Sequence, residues 1–296
     1  MNRLALALSF GFFVAGCVSD APAATFDAGS DGPAADTSTD TSIPDTSIPD
    51  TATGDTSTDA PPAFTPAKLS GLVLWLDAQQ SSTLTPSTGK ITQWADRTSY
   101  QTHAVAPAGF EPTLGTDALT TKPVLLFNKS QMNIGTQFKT ELEWGTTTDF
   151  TIAIVAGYAP PSGGMLLHKI SGATGFMLVN ISGETRLKFS LDTSVTSNSV
   201  SDNVAYNDAK LRLYTLRRTG SGLVIEMRVN GVSVATKTLA AVVDVTAGAA
   251  PLHLGAVTTT TEQMTGAMGE IVAVKDTLSD PDLATLEAYL KTKWGL

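Results

Sequence analysis

The sequence predicts an all-β domain, a two-sheet antiparallel sandwich closed by a short C-terminal helix and preceded by a disordered linker. Three observations carry this. Apolar and polar residues alternate in Leu187-Lys188-Phe189-Ser190-Leu191-Asp192, an Asn230-Gly231 pair separates two apolar-periodic runs, and helical spacing emerges only after Ser279.

In the first of these, alternation places Leu187, Phe189 and Leu191 on one face, which predicts that this face is buried. In the second, Asn230-Gly231 suits the two positive φ values of a type I′ turn. That turn predicts Val229 opposite Val232 and Met227 opposite Val234. The runs Leu72 to Leu76, Val124 to Phe127, Phe150 to Val155, Met165 to Leu167 and Ile271 to Val274 lack alternation and predict strands covered on both faces. Finally, Ser279-Asp280-Pro281-Asp282 offers an N-cap, an early proline and first-turn acids. Leu283, Leu286, Leu290 and Trp294 follow at helical spacing, and Lys291 and Lys293 suit the C-terminal end of the helix dipole.

Ahead of the domain, Arg3 and the apolar run Leu4 to Val14 have the form of an export signal, too short for the roughly 20 residues of a bilayer span. The run ends in Val14-Ala15-Gly16-Cys17, which resembles the bacterial lipobox; the resemblance implies cleavage before Cys17 and lipidation of its sulfur. Cys17 is the only cysteine, so no disulfide forms within the chain. Residues 1–16 are thus read as a lipoprotein signal peptide. With Val18, rather than Asp, after the lipidated residue, the same resemblance implies sorting to the outer membrane.

Residues 17–65 are rich in Asp, Thr, Ser, Ala and Pro, with a five-residue repeat at Asp40, Asp45 and Asp50, and hold too few large apolar residues for a core. They read as a disordered acidic linker. Nine aspartates and no base fall between Val18 and Thr65; with these and Arg3 set aside, 18 bases face 19 acids. The net charge of -9 therefore belongs to the linker, and the folded part carries no basic surplus of the kind that nucleic acid requires. Residues 66–296 are read as one domain.

Within that domain, Leu72-Val73-Leu74-Trp75-Leu76-Asp77, Trp94-Ala95-Asp96, Lys122 to Phe127, the Val229-Asn230-Gly231 hairpin, Leu252 to Gly255, Gly269-Glu270-Ile271 and the ending Leu278 to Trp294 together resemble the laminin-G-like branch of the concanavalin A-like lectin and glucanase sandwiches. The resemblance implies a jelly-roll sandwich whose members mostly bind glycans or proteins, often with calcium at the rim.

Glucanases on this fold carry a Glu-x-Asp-x-x-Glu strand, with acids about 5 to 5.5 Å apart. The sequence lacks it, Glu141-Leu142-Glu143 being the nearest approach. No nucleophile elbow, metalloprotease helix, phosphate loop or EF-hand is present, and three histidines make transition-metal sites unexpected. His168 and His253 read as polar residues at strand edges. A calcium site, if one exists, would draw on Asp77, Asp96, Asn128 or Asp149, although turn capping explains Asp77 and Asp96 equally well. Trp144, beside Gly145 and a threonine run, is the tryptophan most suited to stack on a sugar, against core packing as the alternative. The expected function is a surface-anchored, non-catalytic lipoprotein that binds polysaccharide. A protein-binding adhesion or envelope-structural module is the alternative, and a glycan-active enzyme comes third.

Overall fold

The computed structural model describes residues 63–135, 140–160, 163–180, 186–193, 197–248, 250–258 and 262–296. The expected signal segment, Cys17 and all but the last residues of the linker lie outside them. Among the described residues the strands run in chain order: β1 (Leu72–Asp77), β2 (Leu84–Ser87), β3 (Lys90–Trp94), β4 (Ala104–Val105), β5 (Thr113–Thr116), β6 (Pro123–Asn128), β7 (Met132–Ile134), β8 (Phe150–Tyr158), β9 (Gly164–Ser171), β10 (Thr174–Asn180), β11 (Arg186–Asp192), β12 (Ser199–Ala205), β13 (Arg212–Thr219), β14 (Val224–Val229), β15 (Val232–Thr238), β16 (Leu252–Leu254) and β17 (Thr265–Lys275), followed by helix α1 (Asp280–Trp294).

These strands form two antiparallel sheets. Sheet A runs β15-β14-β13-β8-β17-β6-β5, with β1 paired to β17 beyond β6, and sheet B runs β12-β11-β10-β9-β16-β7-β4-β3-β2. The main core lies between them. Leu187, Phe189 and Leu191 of β11 meet Ile152, Ile154 and Leu216 of sheet A there, as the alternation predicts. The far face of sheet A packs under α1 in a second core, where Ala153, Val155, Leu213 and Val272 meet Leu283, Leu286, Leu290 and Trp294. This third layer explains the unbroken apolar runs of β1, β8 and β17, because each of their faces has a partner.

The third layer does not reach every run. Leu126 of β6 is half exposed, and β9 belongs to sheet B, with His168 and Ile170 only partly buried. The hairpin also departs from expectation at one point. Asn230 and Gly231 take φ values of 50° and 85°, and Val229 pairs with Val232, but a bulge between Met227 and Arg228 sets Met227 opposite Ala235 rather than Val234. Val232 is exposed on the edge strand.

Helix α1 begins on the predicted cap and ends at a glycine that the sequence reading did not single out. Ser279 Oγ accepts from the Asp282 amide at 3.2 Å, and Gly295 closes the helix in the left-handed region at φ 70°. Trp294 is fully buried against Gly269, where an added Cβ would lie 2.5 Å from its ring. Phe64 also packs here, edge-on to Tyr289 with centroids 5.7 Å apart, so the packed chain includes residues just before Pro66.

Candidate functional site

The outward face of sheet B differs from that of sheet A in having no helix laid over it among the described residues. Strand register aligns one residue from each of its nine strands into a transverse row. From one edge to the other these are Thr85, Gln93, Val105, Asn133, His253, His168, Met177, Ser190 and Ser199. Their sequence neighbours Leu84, Trp94, Ala104, Met132, Ile134, Leu252, Leu254, Leu178, Phe189, Leu191 and Val200 all enter the main core, so the row faces away from it. At about 4.8 Å between neighbouring strands the row extends roughly 38 Å.

This row contains no carboxylate, lysine or arginine. Its centre is a pair of histidines that the register brings together, His253 opposite His168, with ring centroids 5.8 Å apart. His253 Nδ1 lies 2.6 Å from Gln131 Nε2 and 2.8 Å from Asn133 Oδ1, so it accepts from the first in one tautomer or donates to the second in the other. Burial pushes the His253 pKa down to about 4, helped by the nearby charges of His168 and Lys169, and burial likewise lowers that of His168. Both imidazoles are neutral at pH 7, each offering one donor and one acceptor. Two buried polar atoms at this centre, His168 Nδ1 and Gln131 Oε1, have no hydrogen-bond partner.

The row is graded along its length. Thr85 and Val105 are exposed at one end, Gln93, Asn133, His253 and His168 are half-buried, and Ser190 and Met177 are buried, Met177 in a small apolar group with Met165 and Val179 against which Val257 packs, so the reachable part of the row runs from Thr85 to His168. An apolar step beside neutral donors and acceptors suits a ligand that is itself amphipathic and uncharged, as sugar rings are.

The residues singled out in the sequence have other roles. Trp144 is 1% exposed, so its ring presents no face to a sugar, and it joins an aromatic cluster with Phe150 and Phe176, whose centroids lie 4.2 and 5.1 Å away. Asp96 is saturated: Oδ1 accepts from the amides of Trp75 and Thr98 at 2.9 and 3.0 Å, and Oδ2 accepts from Thr98 Oγ1 and the Thr102 amide at 2.6 and 2.9 Å. Asp77 Oδ2 lies 2.8 Å from Arg97 and 2.7 Å from Lys293. Asp149 accepts from the Gly222 amide and Thr277 Oγ1 and braces two loops. Asn128 ends β6 on the exterior of sheet A. Among the described residues no three His, Cys, Asp or Glu side chains gather in a group that could hold a metal ion.

Nor does an acid pair line a cleft. Asp77 and Glu270 are partners across β1 and β17, yet both are fully buried and bound by Lys293, with Trp75 and Trp294 donating their indole N–H groups to Glu270 at 2.8 and 2.7 Å. Glu143 is tied to Lys169 at 2.6 Å and accepts from the amides of Ala247 and Gly248.

Both histidines were visible in the sequence; their partnership was not. The Leu252-His253-Leu254 alternation shows that His253 opposes the core, but only the non-sequential pairing of β16 with β9 and β7 sets His168 and Asn133 beside it.

No protein-family model matches the chain, and no curated protein matches it in sequence. Solved structures do match. The binding domain of Paraclostridial Mosquitocidal Protein 1 aligns with a TM-score of 0.55 at 12% identity, over 74% of this chain and 52% of that one. The botulinum neurotoxin serotype D binding domain aligns at 0.53 and 11% identity over 74% and 51%, and the serotype G binding domain at 0.53 and 13% over 76% and 54%. The chain thus spans about half the length of the toxin binding domains it matches. These likenesses carry the two-sheet sandwich; they do not carry the laminin-G-like branch.

Proposed function

We propose that this chain is a non-catalytic binding lipoprotein, and that its sandwich holds a neutral polysaccharide across the open face of sheet B. The observation that supports it most is the uncharged transverse row, with two neutral imidazoles and two amides at its centre and an apolar patch beside them. The fold likeness agrees with a binding role, since the matched structures are described as toxin binding domains. Bond cleavage has no support on this face, because the buried acid pair belongs to sheet A and is paired with Lys293 and Arg97.

The tether is part of the proposal. The charged start, the apolar run and the sole cysteine at Cys17 support lipid attachment at the cell envelope, with the acidic segment acting as a spacer. Metabolic labelling with a fatty acid tests this: label is expected in the parent chain and absent from Cys17→Ser. Incorporation that survives the substitution contradicts it.

For the ligand, an array of neutral and acidic glycans probed with the Cys17→Ser chain is the direct test. Retention on neutral glycans is expected. No retention on any glycan at high micromolar protein overturns the proposal and leaves the protein-binding alternative.

A further inference from the structure

The two central histidines have a capacity that sugar binding does not require. We propose that His168 and His253 form a two-imidazole site for a borderline-soft divalent ion of the Zn2+, Ni2+ or Cu2+ class on the open face of sheet B. The two residues are direct cross-strand partners, and their ring centroids stand 5.8 Å apart. A metal–imidazole bond of about 2.0–2.1 Å puts each ring centre roughly 3.2 Å from the ion, so two rings can share one ion at centroid separations up to about 6.4 Å. The observed spacing lies inside that limit.

The chemistry of the surroundings selects the ion class. His253 Nδ1 lies 2.8 Å from Asn133 Oδ1, the kind of orienting contact that metal-binding histidines receive. Once Nδ1 donates its proton to Asn133 Oδ1, Nε2 carries the lone pair. The unpartnered His168 Nδ1 adds acceptor capacity at the same place. The row offers no carboxylate, so hard cations that prefer a shell of oxygens, such as calcium, are disfavoured against ions that take nitrogen. Two protein ligands leave coordination positions free for water or for hydroxyl groups of a bound ligand.

This site does not depend on the glycan reading: either activity can be present without the other, and the two are measured separately. The experiment is a calorimetric titration of the full, tag-free chain carrying Cys17→Ser, so that no thiol competes, with ZnCl2 and with CuCl2. One equivalent is expected to bind. His168→Gln and His253→Gln are each expected to abolish that binding, Asn133→Ala to weaken it about 10-fold through loss of ring orientation, and His103→Gln to leave it unchanged. Nitrogen NMR of the imidazoles in the chain with its histidines intact reads the same event without relying on a variant that folds, and the His168 and His253 resonances alone are expected to shift with Zn2+. No binding at millimolar metal, or imidazole shifts confined to His103, overturns the assignment.

Discussion

Asp77 and Glu270 face each other in register across β1 and β17, both fully buried, and share the single ammonium of Lys293 at 2.7 and 2.6 Å. Arg97 adds a second cation to Asp77 while lying over the Trp75 ring, 3.6 Å from its centroid. Burial, then the charge of Asp77, pushes the Glu270 carboxyl above its ordinary range, against the opposing pull of Lys293 and Trp294. Lys293, although burial works against its charge, is raised by Glu270 and Asp77. This network fastens the last turn of α1 to the centre of sheet A.

Removing the shared cation leaves buried Glu270 without a cation and Asp77 with Arg97 alone. Lys293→Met is expected to destabilise the domain by about 3 kcal/mol, read from urea unfolding. Adding Glu270→Gln to it should restore part of that loss, because one orphaned charge is then gone. A Lys293→Met chain as stable as the parent contradicts the network.

Gly269 leaves the space that the Trp294 ring occupies. Gly269→Ala is expected to cost about 2 kcal/mol by overpacking, measured by the same unfolding curve, and to loosen α1 selectively in hydrogen exchange.

Trp144 belongs to the aromatic core rather than to a binding surface. Trp144→Ala should cost about 3–5 kcal/mol, whereas Trp144→Phe, at temperatures where it is folded, should bind ligand as the parent does. A loss of binding in folded Trp144→Phe would return this residue to the site.

The histidines of the open face give the domain a specific pH dependence. His253 has a folded pKa near 4, below the ordinary 6.5, and that of His168 is lowered too. A histidine shifted down contributes stability that is present above pH 6.5 and lost as pH falls toward the folded value. Melting temperature should therefore decline between about pH 6.5 and 4.5, and His168→Gln with His253→Gln should flatten that decline. Glu270, shifted up, acts in the opposite sense in both chains and so cancels in the comparison.

Much of the fold was legible because local chemistry decided it. Ser279 and Pro281 start α1, Asn230-Gly231 fixes the hairpin turn, and Leu187, Phe189 and Leu191 mark their core face. The bulge at Met227/Arg228 was not legible, since one extra residue leaves the composition of a strand unchanged. The motifs at Trp75 to Asp77, Trp94 to Asp96, Gly269-Glu270 and Lys293-Trp294 stood out only as points of resemblance; apart from Trp94, which joins the main core, their defining side chains meet around the Asp77–Glu270 network, and Asp96 supports it through the Trp75 amide. The open face was least legible. Its row takes one residue from each of nine strands, from Thr85 to His253, and depends on long-range register that no local pattern encodes.

The central claim is that the uncharged row of sheet B binds the ligand, and backbone NMR of the chain titrated with a neutral glycan retained on the array tests it most directly. Shifts are expected to concentrate at Gln93, Val105, Asn133, His168 and His253, and Asn133→Ala should weaken the titration by about 1 kcal/mol or more. Shifts confined to sheet A or α1, with the row silent at saturation, would contradict the account.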